Sequence, residues 1–278
     1  MDDKRLTNDL IADPSLYRLG LLLGEHTLDI ALTSRVTDSK PIGHRIKLND
    51  TAGSDVASRL EEAIYDNPLL TADFNRVDFV VDTNRFFLIP AERAKNPDSL
   101  AADVNLLYPD SNPVPVVNFP EPERTAVVTM IDPAVNRFVG RTFHGTRIVH
   151  RLAAAARYHV LRNHLGNTGK LHVSLRNGST DIIAIGHQGL LLVNTFVTPA
   201  VDDAVYYTLA VAQQLEFDNN IDRVLVSGPR RLRDNYIRQL RRFVSFAMPE
   251  IFPPTLASTD PDSPDSIPFS LAVIPLCE

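Results

Sequence analysis

The sequence predicts a mixed α/β fold built from two similar halves, and three observations carry that prediction. Lys170 to Phe196 reads as three short antiparallel strands, followed by a helix, an apolar strand and another helix. Tyr17 to Leu48 reads as three strands of the same kind, again followed by a helix and an apolar strand. Between the two lies a segment of different character, about 83 to 124, which ends in a proline-rich crossing.

Each element has a local reason. In the second half Leu171, Val173 and Leu175 alternate, and Asn177-Gly178 supplies the positive backbone angles of a hairpin turn. Ile182 to Ile185 forms the return strand, and His187-Gln188-Gly189 turns the chain into Leu190 to Phe196. An amphipathic helix is expected over Val201–Phe217. The buried strand Arg223–Ser227 comes next, then Gly228-Pro229 and a further helix. In the first half, Gly24-Glu25-His26 breaks the apolar run Tyr17–Leu23 before Thr27–Thr33, and Ile42–Leu48 adds a third strand. Ser54 is the expected N-cap of a helix with Val56, Leu60, Ala63 and Ile64 on one face, stopped by Pro68. Val77–Val81 and Phe86–Ile89 flank Asp82-Thr83-Asn84-Arg85 and read as a further hairpin.

Asp98 is expected to cap a short helix to Leu107, and Pro113, Pro115, Pro120 and Pro122 confine Asn112–Pro122 to a sheet edge. Thr125–Ile131 reads as a buried strand, Asp132 caps a helix starting at Pro133, and Arg151–His164 is an alanine-rich helix. Gly166-Asn167-Thr168-Gly169 is the expected boundary, giving domains at 1–165 and 166–278. Residues 1–15 are polar and expected to be loosely packed. Pro253–Pro268 reads as a surface linker, and Ile267–Leu276 is expected to dock back as a strand.

Composition narrows the function classes. The chain has 278 residues, 44% hydrophobic, enough for one large core or two moderate ones. Its net charge of -6 disfavours general nucleic-acid binding. A single cysteine, Cys277, excludes a disulfide framework or a cysteine-rich metal site within one chain. No apolar run approaches membrane-spanning length and the N-terminus lacks a signal core, so a soluble cytoplasmic protein is expected. No Gly-x-Ser-x-Gly elbow, P-loop or dinucleotide fingerprint occurs.

The repeated hairpins, Tyr17–Leu32 and Leu171–Ile185, resemble those of the actin-like ATPases, whose two halves are each ribonuclease H-like. Within that superfamily the chain is similar to the FtsA/PilM type, where a small inserted subdomain follows a Leu-Pro-like segment, as Leu88-Ile89-Pro90 stands here. In size and element order it also resembles an uncharacterised bacterial family, domain of unknown function 3822. The resemblance implies an acidic residue in the first strand of each hairpin, Asp-x-Gly-[Ser/Thr], to hold magnesium and orient the attacking water. Here Leu22 and Ser174 occupy those positions, and Arg176 stands where the glycine should be. Gly24, Asn177, Gly178, Ser179, Thr180 and Gly228 remain as candidate nucleotide- or anion-binding residues.

Arg230, Arg231, Arg238, Arg241 and Arg242 form a candidate partner or anion patch on a helix whose apolar stripe is Leu232, Tyr236, Leu240 and Phe243. Arg230 and Arg231 stand in its first turn, where the helix dipole disfavours cations unless an anion is nearby. His144, His150, His159 and His164 lack the i, i+4 spacing of a helical metal site, and His172 and His187 read as half-exposed. No catalytic or metal-ligating residue is therefore assigned. The reading is a pseudo-ATPase that binds a protein partner or a second copy of itself, with no cofactor expected. The alternative is an ATPase or kinase-like enzyme that uses magnesium ATP. In it Asp29 or Asp181 would replace the missing acids, although both were expected to point away from the cleft.

Overall fold

A computed structural model describes residues 11, 13–36, 40–49, 54–109, 112–163, 168–262 and 266–277. Its frame is a pair of five-stranded sheets with one topology. In the first, β1 (Tyr17–Leu23), β2 (Thr27–Ser34) and β3 (Ile42–Lys47) form an antiparallel meander. β4 (Arg76–Val81) then pairs parallel to β1, and β8 (Arg147–His150) parallel to β4. The strand order is β3-β2-β1-β4-β8. In the second, β9 (Lys170–Arg176), β10 (Ser179–Gly186) and β11 (Gly189–Val197) repeat the meander, with β12 (Arg223–Ser227) and β13 (Phe246–Pro249) parallel beyond β9. The predicted two-half architecture is present.

The helices follow from local chemistry, with shifts of cap. α1 (Val56–Tyr65) starts at Asp55, not Ser54: the Asp55 carboxylate accepts from the Ser58 N–H at 2.7 Å. Residues 50–53 of the loop before it lie outside the described residues. α2 (Ala91–Lys95) precedes α3 (Pro97–Leu107), which is capped by Asn96 rather than Asp98. Pro97 at the first helical position moves that start forward. α4 (Pro133–Thr142) is capped by Asp132 as expected, through the N–H groups of Ala134 and Val135. α5 (Arg151–Arg162), α6 (Val201–Gln214) and α7 (Arg230–Leu240) complete the longer helices. Phe243 does not continue the stripe of α7; it is exposed beyond the helix end, while Tyr236, Ile237 and Leu240 are buried.

The predicted hairpin across Asp82–Arg85 does not form. β4 has both edges occupied by β1 and β8, so β5 (Phe86–Pro90) enters another sheet. There it pairs with β7 (Thr125–Ile131), whose other edge takes β6 (Val114–Glu121). The proline-rich segment is an edge strand, as its missing N–H groups require. The central strand of this small sheet, β7, begins just past the expected end of the insert at 124.

The chain end is also corrected. Ile267–Leu276 does not form a strand: α8 (Phe269–Val273) and a 3-10 turn, Ile274–Cys277, cover β1, β4 and α5. β1 and β4 are interior strands with no free edge, so the segment must close its own hydrogen bonds, such as Leu271 N–H to Pro268 O at 2.9 Å. The supposed surface linker before it buries Leu256 and Ile267. Each sheet has its own core, with Leu19, Leu21, Leu60 and Phe79 in the first and Leu171, Val173, Val226 and Tyr236 in the second. Burial of one such side chain stabilises by about 1.5–3 kcal/mol.

Candidate functional site

The two hairpins face one another across a cavity of about 940 Å³. Residues directly opposite in an antiparallel pair project from the same face of the sheet. In the first half this rule lines up Leu22, Asp29 and Arg45 across β1, β2 and β3. In the second it lines up Ser174, Asp181 and Thr195 across β9, β10 and β11. Asp29 and Asp181 therefore point into the cleft, beside the vacated positions Leu22 and Ser174, and not away from it as expected. Each half has its acid one strand over.

Those acids are engaged by arginines. Arg45 Nε donates to Asp29 Oδ1 at 2.5 Å, from a side chain that is 63% exposed. Burial raises the Asp29 carboxyl above its ordinary range, which Arg45 offsets only in part. Asp181 instead takes both terminal nitrogens of Arg151, at 2.5 and 2.8 Å, and a hydrogen bond from Thr195 Oγ1 at 2.8 Å. The Arg151 Nε donates to Asp82, at the end of β4, and Asp82 also accepts from Arg176 of β9. Against the effect of burial, Arg151 and Arg176 hold the Asp82 carboxyl below its usual range. Burial by itself lowers the Arg151 guanidinium, but Asp181 and Asp82 raise it above its ordinary value. The Arg151 side chain is 8% exposed. Two acids and two arginines thus form a neutral, mostly buried latch joining β4 of the first sheet to β9 and β10 of the second.

The start of α5 aims Arg151. His150, fully buried, accepts the Leu152 N–H at its Nδ1, while its Nε2 meets the Thr83 carbonyl at 2.9 Å. That pattern needs the neutral Nε2–H tautomer, and burial pushes the His150 pKa down to about 4.

On the opposite wall, Gly228 has φ of +120°, and a Cβ there would lie 2.5 Å from the Leu175 carbonyl oxygen. Only glycine lets β12 pass this close to β9 before α7 begins. The first N–H of α7, that of Arg230, donates to Asp262 Oδ2 at 2.8 Å, so a tail carboxylate supplies the anion that Arg230 and Arg231 called for.

The other sequence candidates scatter. Gly24 lines the cleft at the first hairpin turn, its N–H donating to the Thr27 carbonyl at 2.8 Å. Asn177, Gly178, Ser179 and Thr180 lie outside the lining. Gly178 alone carries the positive φ of that turn, and the Thr180 hydroxyl is buried against Thr198. Of the arginine patch Arg230 reaches the cleft, while Arg231, Arg238, Arg241 and Arg242 are exposed on α7 and just beyond it. Arg241 Nε donates to the Ala247 carbonyl at 2.9 Å. Sequence reasoning gave Asp82, Arg151 and Glu250 no place in a site, and it set His159 aside on helical spacing alone. It also misjudged His172, which is buried beside His159 and Glu250 at the edge of the cleft. His164 lies outside the described residues. Counting back from the Asn177-Gly178 turn would have placed Asp181 opposite Ser174.

The resemblance to actin-like ATPases implies magnesium ATP between the hairpins, and the donor set here does not fit it. Leu22 and Ser174 stand in place of the two first-strand acids, and the carboxylates beside them between the hairpins, Asp29, Asp82 and Asp181, are each held by a guanidinium. Magnesium needs free oxygen ligands in octahedral array.

A family model described as "Protein of unknown function (DUF3822)" matches residues 7–246. The chain belongs to that family. Among solved structures this DUF3822 chain is similar to a Bacteroides thetaiotaomicron protein with an actin-like ATPase fold and unknown function. The identity is 20%, with 84% of this chain and 90% of that chain covered at a TM-score of 0.71. It is also similar to a structure described as the PilM-PilN type IV pilus biogenesis complex. There the identity is 12% over 93% of this chain and 97% of that chain, with a TM-score of 0.50. No curated protein matches. The DUF3822 chain thus has the actin-like fold. Among the described residues, no helix is long and apolar enough to cross a membrane.

Proposed function

We propose that this protein is a pseudo-ATPase: an actin-like fold that has given up hydrolysis and serves as a protein-binding or scaffold module. The observation that carries the reading is the Asp82–Arg151–Asp181–Arg176 latch, which engages acids between the hairpins with the protein's own arginines. The tail supports it by setting Asp262 at the start of α7. The PilM neighbour, whose structure is described as a complex with PilN, offers a precedent for this fold engaging another protein. The Asn118 side chain ties β6 to β8, donating to the Ile148 carbonyl at 3.1 Å and accepting from the His150 N–H at 2.8 Å.

The alternative, a magnesium-ATP enzyme, draws on Asp29 and Asp181 facing the cleft. A thermal-unfolding scan with and without magnesium ATP separates the two. A ligand at 100 times its dissociation constant stabilises by about 2.7 kcal/mol, a rise of roughly five to ten degrees for a chain of this size. The pseudo-ATPase reading expects no rise at millimolar nucleotide and no phosphate release. A rise of that size with magnesium-dependent turnover, lost in Asp181→Asn, would overturn it.

A further inference from the structure

One wall of the cleft carries a cluster that the latch does not use. His159 from the last turns of α5, His172 from β9 and Glu250 just after β13 each present one ligand atom, all within 4.8 Å of one another. Both Nδ1 atoms address the same carboxylate oxygen: His172 Nδ1 is 2.8 Å and His159 Nδ1 is 3.5 Å from Glu250 Oε1. The side chains are only 6%, 8% and 9% exposed, yet all three residues line the cleft.

A purely structural explanation leaves this cluster poorly settled. Among the described residues the Glu250 carboxylate meets the two imidazoles and no lysine or arginine, so a buried carboxylate lacks a permanent cation. The Nε2 of His172 is buried without a hydrogen-bond partner. The two rings stack at 3.7 Å between centroids with 22° between their planes, so each presents a nitrogen to the one acid, and an ion held by both would turn the rings apart.

We propose that His159, His172 and Glu250 form a site for a zinc-class divalent ion whose fourth position opens to the cleft. Zinc binds imidazole nitrogen and carboxylate oxygen at about 2.0–2.2 Å, so ligand atoms in a tetrahedral set stand about 3.3 Å apart. The two histidine-to-glutamate separations, 2.8 and 3.5 Å, lie on either side of that value, and the three ligand atoms all lie within 4.8 Å of one another. Two imidazoles and one carboxylate form a donor set suited to zinc and poorly suited to magnesium or calcium, which favour all-oxygen sites. The ligands come from elements far apart in sequence, so the ion would staple the C-terminal part of α5 to β9 and to the exit of β13. Phe269 of α8 stacks on His159 and gives the site an apolar cover, which limits water access and sharpens affinity. The fourth position would accept water or an anionic side chain of a partner.

The test uses the full-length chain, stripped with a chelator and dialysed. Zinc sulfate titrated by calorimetry should bind at one ion per chain, and saturation should raise Tm by about five to ten degrees. Cobalt(II) in place of zinc should give the intense visible absorption of a tetrahedral site. His159→Gln with His172→Gln should lose both signals, whereas His187→Gln, at an exposed turn, should keep them. Should the double variant fail to fold, Glu250→Gln decides, with an expected loss of tenfold or more in affinity. The proposal falls if the stripped wild-type chain gives no stoichiometric binding. It falls equally if cobalt shows only the weak spectrum of an octahedral ion, or if Glu250→Gln binds zinc as tightly as the wild type. Magnesium ATP plays no part in these readouts, so their result is separate from that of the pseudo-ATPase test.

Discussion

The two hairpins share a register and part company in chemistry. Each places an aspartate on its second strand, opposite the position that the resemblance to active ATPases reserves for an acid on the first. In the first half Asp29 finds its partner on the neighbouring strand, an arginine that remains mostly in solvent. In the second half the neighbouring strand offers only Thr195, and Asp181 draws its cation from α5, at the start of which Arg151 also reaches Asp82. One acid is therefore satisfied locally and the other binds the halves together. Repetition of a fold does not repeat the energetics: a single residue opposite the acid, Arg45 or Thr195, decides whether a charge pair is a surface detail or a tertiary connection.

The largest break in that contrast is Arg151→Ala, which leaves Asp82 and Asp181 without the guanidinium that both use. Removal of one partner of a buried pair costs about 3–5 kcal/mol, read as a fall of roughly ten degrees in Tm. Acid should weaken the same side through His150. Its pKa is about 4 in the folded chain, against an ordinary value of 6.5. The unfolded chain therefore takes up this proton first as pH falls. The stabilisation is complete above the ordinary value and lost progressively down to about pH 4, amounting to roughly 3 kcal/mol. Denaturant titrations at pH 7, 5.5 and 4.5 should show this slope, and His150→Gln should flatten it. Asp181→Asn should come next, at about 1.5–3 kcal/mol, because Arg151 keeps its position but loses a charged acceptor. Asp29→Asn should change stability by less than about 1 kcal/mol, since Arg45 is exposed and burial already disfavours the Asp29 charge. Equal losses for the two asparagine variants in chemical denaturation would dissolve the distinction between the halves.

Much of the frame was legible because it is local. Alternation in Leu171–Leu175, the glycine at 178 and the capping of α4 by Asp132 each act within a few residues. The misreadings share a cause. Asp82–Arg85 looks like a hairpin turn because its flanks are strand-like, but both edges of β4 were already filled by strands distant in sequence. Ile267–Leu276 looks like a strand because it is apolar, but it lands on the face of a sheet with no free edge beneath it. Asp29 and Asp181 were noticed and aimed wrongly, although the hairpin register alone determines their side.

The sequence by itself determined most of the strands, the main helices, the repeat of the meander and the loss of the two first-strand acids. Periodicity and turn chemistry act over a few residues and are written in residue order. Only the tertiary structure decided what replaced those acids. The latch joins Arg151 to residues 69 and 30 positions away, and Arg176 to one 94 positions away. The histidine–glutamate cluster brings His172 to a residue 78 positions along the chain. Such pairs have no spacing rule, because the distance between them is set by how two sheets and a helix pack and not by the chain that runs between.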